Sequence, residues 1–199
     1  MNDAKQIVIN EFRESSRLKN NLVNNDEILK IVVSVSSAII NAFKKNKKVL
    51  LFGNGGSAAD AQHIAAELIG KYRLHRTGLA AVALNTNTST LTALANDYSF
   101  TDVFTRQLDV LGQRGDVAIG ISTSGKSKNV ISALKLANQK RLITVALTGT
   151  GGRGLKKHVN YCICVPSADT PRIQEAHILI GHTICEIVEK TLFGKNSAR

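Results

Sequence analysis

Between Gly53 and Glu67 the chain reads G-N-G-G-S-A-A-D-A-Q-H-I-A-A-E, which puts a glycine-rich turn, a histidine and a carboxylate in one short segment. Lys48 to Phe52 before it, K-V-L-L-F, has the length and apolar character of a buried strand, and the pattern after it is helical. The glycines therefore fall at a strand-to-helix turn, where backbone N–H groups and a helix N-terminus converge on an anion. The dinucleotide-binding frame GxGxxG is missed, because Ala58 stands where its last glycine would be. Ser57 with Asp60 three residues on resembles a capping box with Asp in place of Glu, which sets the expected helix start. Counting from there, the period of 3.6 groups Ala58, Ala61, Ala65, Leu68, Ile69 and Tyr72 on an apolar face and Asp60, His63 and Glu67 on a polar stripe. His63 and Glu67 are i and i+4, so both can reach one cation or one substrate; a solvated helix face would give the same pattern.

A second candidate is Ser122-Thr123-Ser124-Gly125-Lys126-Ser127, between the apolar run Val117 to Ile121 and the helical pattern Val130 to Asn138. Four hydroxyls, a flexible glycine and a helix N-terminus suit a phosphate dianion held by neutral donors. The Walker frame G-x-x-x-x-G-K-[ST] is absent, and Ser127 could instead cap its own helix. The glycine-rich Thr148 to Gly154 is either a further anion loop or a surface turn. Near the C-terminus, Thr170 and Pro171 form an N-cap and N1 pair for a helix running through Val188. That helix is apolar around most of its circumference, which leaves Gln174 and His182 as polar groups in a costly place. A core histidine bonded to a carbonyl and a helix-start hydrogen bond are the structural readings of these two.

The elements that position these residues follow from hydrophobic patterning. Residues near 4 to 24 and Asp26 to about Asn46 read as a helical hairpin, with Asn25-Asp26 as break and N-cap. The second helix carries Ile28, Ile31, Val32, Val35, Ile39, Ile40 and Phe43, a face broad enough to pack under the core or against another subunit. Five apolar runs follow: Val49 to Phe52, Ala80 to Leu84, Val117 to Ile121, Ile143 to Leu147 and Tyr161 to Val165. Continuous apolar strands alternating with helices predict an α/β fold, a doubly wound five-stranded parallel sheet flanked by helices, with sites at the C-terminal strand ends. A single domain over 1–199 is expected, with the hairpin at 1–47 and the α/β core and final helix at 48–199.

Composition narrows the partners. The formal charge of +11 raises nucleic acid, but the lysines cluster without interleaved aromatics or a recognisable motif, so nucleic acid is not the expected partner. From Gly112 to Asn160 there are nine basic residues against Asp116 alone, a field that also favours a phosphorylated small molecule. There is no membrane-length apolar run and no signal core, which predicts a cytosolic (cytoplasmic) protein with no membrane partner. Cys162, Cys164 and Cys185 are odd in number and read as buried reduced thiols with little functional weight.

Taken together, G-N-G-G-S-A-A-D, H-I-A-A-E, A-N-D at Ala95 to Asp97, I-S-T-S-G-K-S and T-P-R-I-Q-E-A-H resemble the phosphoheptose isomerases of the sugar-isomerase (SIS) fold over nearly the whole chain. The resemblance implies isomerisation of sedoheptulose 7-phosphate to D-glycero-D-manno-heptose 7-phosphate through an enediol, the entry step to the heptose of bacterial surface polysaccharides such as lipopolysaccharide or capsule. It assigns Glu67 and His182 as the acid/base pair and Ser57, Ser122, Thr123, Ser124 and Ser127 as phosphate-binding hydroxyls. Asn54, Gly55, Gly56, Asn96 and Asp97, with Glu67 and Gln174, match substrate contacts. It also implies zinc on His63, Glu67, Gln174 and His182, and a homotetramer with sites at subunit contacts. Gln174 and His182 lie about 12 Å apart along a regular helix, so joint ligation needs long side chains, a distorted helix start or different subunits. Thr170-Pro171 replaces an Ala-Asp pair of some relatives, which leaves Asp169 without an assigned role. The alternative resemblance is to the DnaA initiator-associating protein, a non-enzymatic SIS tetramer; its branch lacks an acid/base pair at the positions of Glu67 and His182, so keeping both here favours catalysis.

Overall fold

Each of the five apolar runs forms a strand of one parallel sheet in the computed structural model, which describes residues 2–194. The strands are β1 (Val49–Gly53), β2 (Ala81–Ala83), β3 (Val117–Ser122), β4 (Ile143–Thr148) and β5 (Tyr161–Cys164), in the order β2-β1-β3-β4-β5. Every residue of β1 and β3 is buried, as strands covered on both faces must be. Alternation divides them between two cores. Val49, Leu51, Val117, Ile119 and Ile121 face one cluster, and Leu50, Phe52, Ala118 and Ala146 face the other.

The first cluster is closed by α2 (Asp26–Lys44), α3 (Gly56–Ile69) and α7 (Thr170–Phe193), and the second by α5 (Thr105–Leu111) and α6 (Lys128–Gln139). The short α4 (Thr88–Asp97) follows β2, and 3-10 stretches occupy Phe100–Asp102 and Thr150–His158. The expected hairpin is α1 (Asn2–Val23) followed by α2, capped by the Asn25 side chain, which accepts from Ile28 N–H at 3.1 Å. Helix α2 goes under the core, against α7, whereas α1 leaves Ile7, Val8 and Phe12 exposed. No helix of the described residues is long and apolar enough to cross a membrane.

Two expected helix starts shift by a residue or two. Helix α3 begins at Gly56 behind Gly55, which has no side chain to cap with, and Ser57 lies buried inside the first turn, so there is no capping box. Helix α7 begins at Thr170 behind Asp169, with Pro171 inside its first turn, where a missing N–H costs nothing. The apolar face of α3 also differs: Ile64 is buried with Ala61, Ala65 and Leu68, while Ile69 is exposed at the helix end. The core histidine of α7 is His177, which is fully buried and whose ring nitrogens make no well-formed hydrogen bond. Burial holds it neutral, with its pKa lowered to about 4 against a smaller opposing pull from the Thr148 backbone.

One buried ion pair ties α7 to the segment between α3 and β2. The Glu189 carboxylate accepts from the N–H groups of Tyr72, Arg73 and Leu74 at 2.7–2.9 Å and from Arg76 Nε at 3.0 Å. Both charged side chains are at most 2% exposed. Burial acts to raise the Glu189 carboxyl, but the three amides and the guanidinium outweigh it and hold it below the ordinary glutamate value. Glu189→Ala leaves Arg76 buried and uncompensated, and is expected to cost about 3–5 kcal/mol in urea unfolding at neutral pH. Because the folded-state pKa is depressed, this contribution is present above the unfolded value and is lost as pH falls through the folded one. The difference between wild type and variant should therefore shrink below about pH 4.

Candidate active site

The sheet order reverses between β1 and β3, and the loops leaving these strands meet there, as in other doubly wound sheets. A reciprocal amide pair joins them: Asn54 Nδ2 donates to Asn129 Oδ1, and Asn129 Nδ2 donates back to Asn54 Oδ1, each at 2.9 Å. Asn129 is buried at the start of α6 and was not singled out by the sequence reading. Its signal is weak, since an asparagine in a first helical turn is ordinarily a local cap. On the other flank, Asn85 Nδ2 holds the Gly53 carbonyl at 2.6 Å.

The hydroxyl loop lies beside this pair. Ser127 stands at the N-cap position of α6, yet its side chain makes no capping bond; its Oγ accepts from Ser122 Oγ at 3.0 Å. Ser122 and Ser127 thus bond each other, and the Ser127 hydroxyl is not consumed in capping α6. Ser122 is buried, Thr123 and Ser127 are half-buried, and Ser124 is exposed with its Oγ accepting from Lys126 N–H. Gly125 has φ +64°, and a Cβ there would stand 2.1 Å from Gly152 Cα and 2.9 Å from Thr148 Oγ1. The Thr148 to Gly154 segment therefore packs against the hydroxyl loop.

The polar stripe of α3 faces α7. His63 Nε2 lies 2.8 Å from His182 Nε2 and 3.3 Å from Glu67 Oε1, and one ligand atom from each of the three residues falls within 4.8 Å of the others. One imidazole must carry its proton on Nε2 and donate to the other. The rings meet edge to face, and the Tyr72 ring lies 5.6 Å from that of His182. His182 is half-buried, which sets aside the core-histidine reading of that position. Two imidazole nitrogens and one carboxylate oxygen are a donor set that suits a cation of zinc type.

Other sequence candidates lie elsewhere in the protomer. The Gln174 amide rests against Gly56 so closely that a Cβ there would be 2.3 Å from its Nε2, which places it over the first turn of α3, about two helical turns before His63. Asn96 and Asp97 are exposed at the end of α4 and are bonded to each other at 3.0 Å. Asp169 is exposed at the start of α7, beside a cavity of about 240 Å³ that also includes Glu14, Arg17 and Arg172. Asp60 has a buried carboxylate oxygen without a hydrogen-bond partner, and burial raises its pKa to about 6 against a smaller opposing pull from His63. A raised folded-state pKa in an acid means that stability falls as pH rises from the unfolded value to about 6 and then levels off. In chelator-treated protein, Asp60→Asn should raise stability by on the order of 1–2 kcal/mol at pH 8, after discounting for partial exposure, and by little at pH 4.5; thermal melts at the two pH values check this.

A hydroxyl-lined loop at the switch point of a parallel sheet, with an imidazole and carboxylate cluster on the flanking helices, is the arrangement of a sugar-phosphate isomerase domain, and residues 12–149 match the SIS domain family. A phosphoheptose isomerase 2 of Campylobacter jejuni is 47% identical over 98% of this chain and 97% of its own length. The solved phosphoheptose isomerase of Neisseria gonorrhoeae superposes with a TM-score of 0.88 at 41% identity, covering 94% of this chain and 99% of that one. That of Francisella tularensis gives 0.89 at 32% identity, covering 94% and 98%. The chain belongs to the phosphoheptose isomerases of the SIS family.

Proposed function

We propose that the protein converts sedoheptulose 7-phosphate to D-glycero-D-manno-heptose 7-phosphate by proton transfer between C1 and C2 through an enediol. The observation that carries this reading is the convergence of His63, Glu67 and His182 from α3 and α7, in a chain whose loop between β3 and α6 clusters four hydroxyls. An aldose–ketose isomerase needs a base at the two carbons, a donor at the carbonyl oxygen and an anchor for the distant phosphate. Glu67 takes the proton from one carbon and returns it to the other, while His182 donates to and accepts from the sugar oxygens, a role that also serves ring opening. Ser57, Ser122, Thr123, Ser124 and Ser127 bind the phosphate with neutral donors, and Asn54, Gly55, Gly56, Asn96, Asp97 and Gln174 contact the sugar.

The donor set fits zinc on His63, Glu67 and His182, where the ion would polarise the substrate carbonyl oxygen. Gln174, lying against Gly56, joins that set only across a subunit contact. A homotetramer would supply such a contact and would cover the exposed Ile7, Val8 and Phe12 of α1. The reaction belongs in the cytoplasm, upstream of heptose transfer to surface glycans.

Purified protein assayed with sedoheptulose 7-phosphate, metal-stripped and zinc-loaded, should form the heptose phosphate. Glu67→Gln should lower kcat by at least about 10³-fold while leaving the thermal melt within a few degrees of wild type. Absence of turnover in both metal states, with tight binding to a DnaA-type protein, would replace the enzyme with the scaffold.

A further inference from the structure

Cys162 and Cys164 alternate with Ile163 along β5, so both side chains leave the same face of the strand. Their Sγ atoms are 3.5 Å apart. Cys162 is buried and Cys164 is half-buried. Their surroundings are cationic apart from one acid. Arg153 and Lys156 lie on the 3-10 stretch beside the pair, and Glu27 of α2 reaches Lys156 at 2.8 Å. A groove of about 250 Å³, lined by Glu27, Ile31, Lys156, Val159, Tyr161 and Cys162, opens on the Cys162 side of the pair.

The two sulfurs are unequal. Either sulfur can donate across this contact; with the deeper Cys162 as donor, the hydrogen bond is the main cause of a Cys164 pKa lowered to about 7, with burial and Glu27 opposing and Lys156 and Arg153 assisting. The same bond, together with burial, pushes Cys162 far up. Cys185 is also raised, to about 12, chiefly by burial. The chain thus has one thiolate-prone cysteine, half-exposed and in contact with a second thiol, which is the arrangement of an attacking and a resolving cysteine. Retention of a metal cation is disfavoured by Arg153 and Lys156, and the single nearby carboxylate is already engaged by Lys156.

We propose that Cys162 and Cys164 form an oxidation site for hydroperoxides, closing to an intrachain disulfide. The Cys164 thiolate attacks the outer peroxide oxygen, the O–O bond breaks, and the departing oxygen takes a proton and leaves as water or alcohol. Cys164 is then a sulfenic acid. The Cys162 sulfur attacks Cys164 Sγ, its proton passes to the leaving hydroxyl, and water departs as the S–S bond forms. Two thiols give up two electrons and two protons, and the peroxide is reduced. Residues two apart on one face of a strand have their Cα and their Cβ atoms each about 6.6 Å apart, whereas a disulfide holds its Cβ atoms about 3.5–4.5 Å apart, so bridging requires the strand to kink at Ile163 and bring the two side chains together. It can do so because β5 is an edge strand held by β4 alone.

The test is peptide mapping, without reduction, of the full-length reduced protein after treatment with equimolar hydrogen peroxide. The expected map shows the segment containing residues 162 and 164 short of two hydrogens, with Cys185 unmodified. In Cys162→Ser the intermediate has no resolving partner, so dimedone should label Cys164; in Cys164→Ser, Cys162 should react at least about tenfold more slowly than Cys164 does in the wild type. Thiols that both stay reduced, separate oxidation of the two without a bridge, or disulfides between chains would each overturn the proposal, and the wild-type map decides this whether or not the variants fold.

Discussion

The Glu189 carboxylate is the constraint on which the geometry around α3 and α7 depends. Two charges taken out of water are expensive, and this pair is tolerable because all its strong partners are internal. Glu189 satisfies three consecutive amides, and Arg76, besides pairing with it, donates to the carbonyls of Glu67 and Leu68 at 2.8 Å. At the end of α3 the Leu68 carbonyl also accepts from Leu79 N–H at 3.0 Å, so Arg76 adds a second donor there and a side-chain donor at Glu67. The guanidinium thus fixes the backbone of Glu67 to α7, the helix that carries His182. The same amides hold Tyr72, whose ring rests against His182. A chain of backbone bonds therefore connects the proposed acid and base through an ion pair that touches neither side chain.

At the strand ends the constraint is close packing. The hydroxyl loop folds against Gly152 with no room for a side chain at Gly125, and Thr123 carbonyl accepts from Gly149 N–H at 2.9 Å. A loop so braced presents hydroxyls and amide groups in fixed positions, which suits an anion whose charge is met by many neutral donors in place of one lysine. The formal charge of +11 then acts at longer range, drawing phosphorylated ligands toward the surface.

The strands were legible because β1, β3 and β4 are buried on both faces and read as apolar runs, and the hydroxyl loop stood out because four hydroxyls cluster in one turn. Details set by tertiary contact were not. Ser57 has the residue type of a cap but is buried in the first turn of α3, and Ile64 displaces Ile69 from the core because the helix ends before Ile69 can face it. His182 and His177 are indistinguishable by type on an apolar helix; the tertiary packing sets His182 against His63 of α3 and buries His177 as a neutral core group. Glu189 and Arg76 lie 113 positions apart, and no local pattern in the sequence announces that they pair. The cysteine pair was visible as C-x-C, but its inequality comes first from the contact between the two sulfurs and then from burial depth, Lys156 and Arg153, which strand periodicity does not encode.

The central claim is that hydrogen moves between C1 and C2 as a proton carried by a side chain. Turnover of sedoheptulose 7-phosphate in D2O, followed by NMR of the heptose phosphate, tests it most directly. A proton held on Glu67 exchanges with solvent in some fraction of turnovers, so the account predicts deuterium at C2 of the product and, by reversal, at C1 of recovered ketose. Product formed with the original C1 hydrogen wholly retained at C2, and no deuterium in either sugar, would indicate direct hydride migration and contradict it.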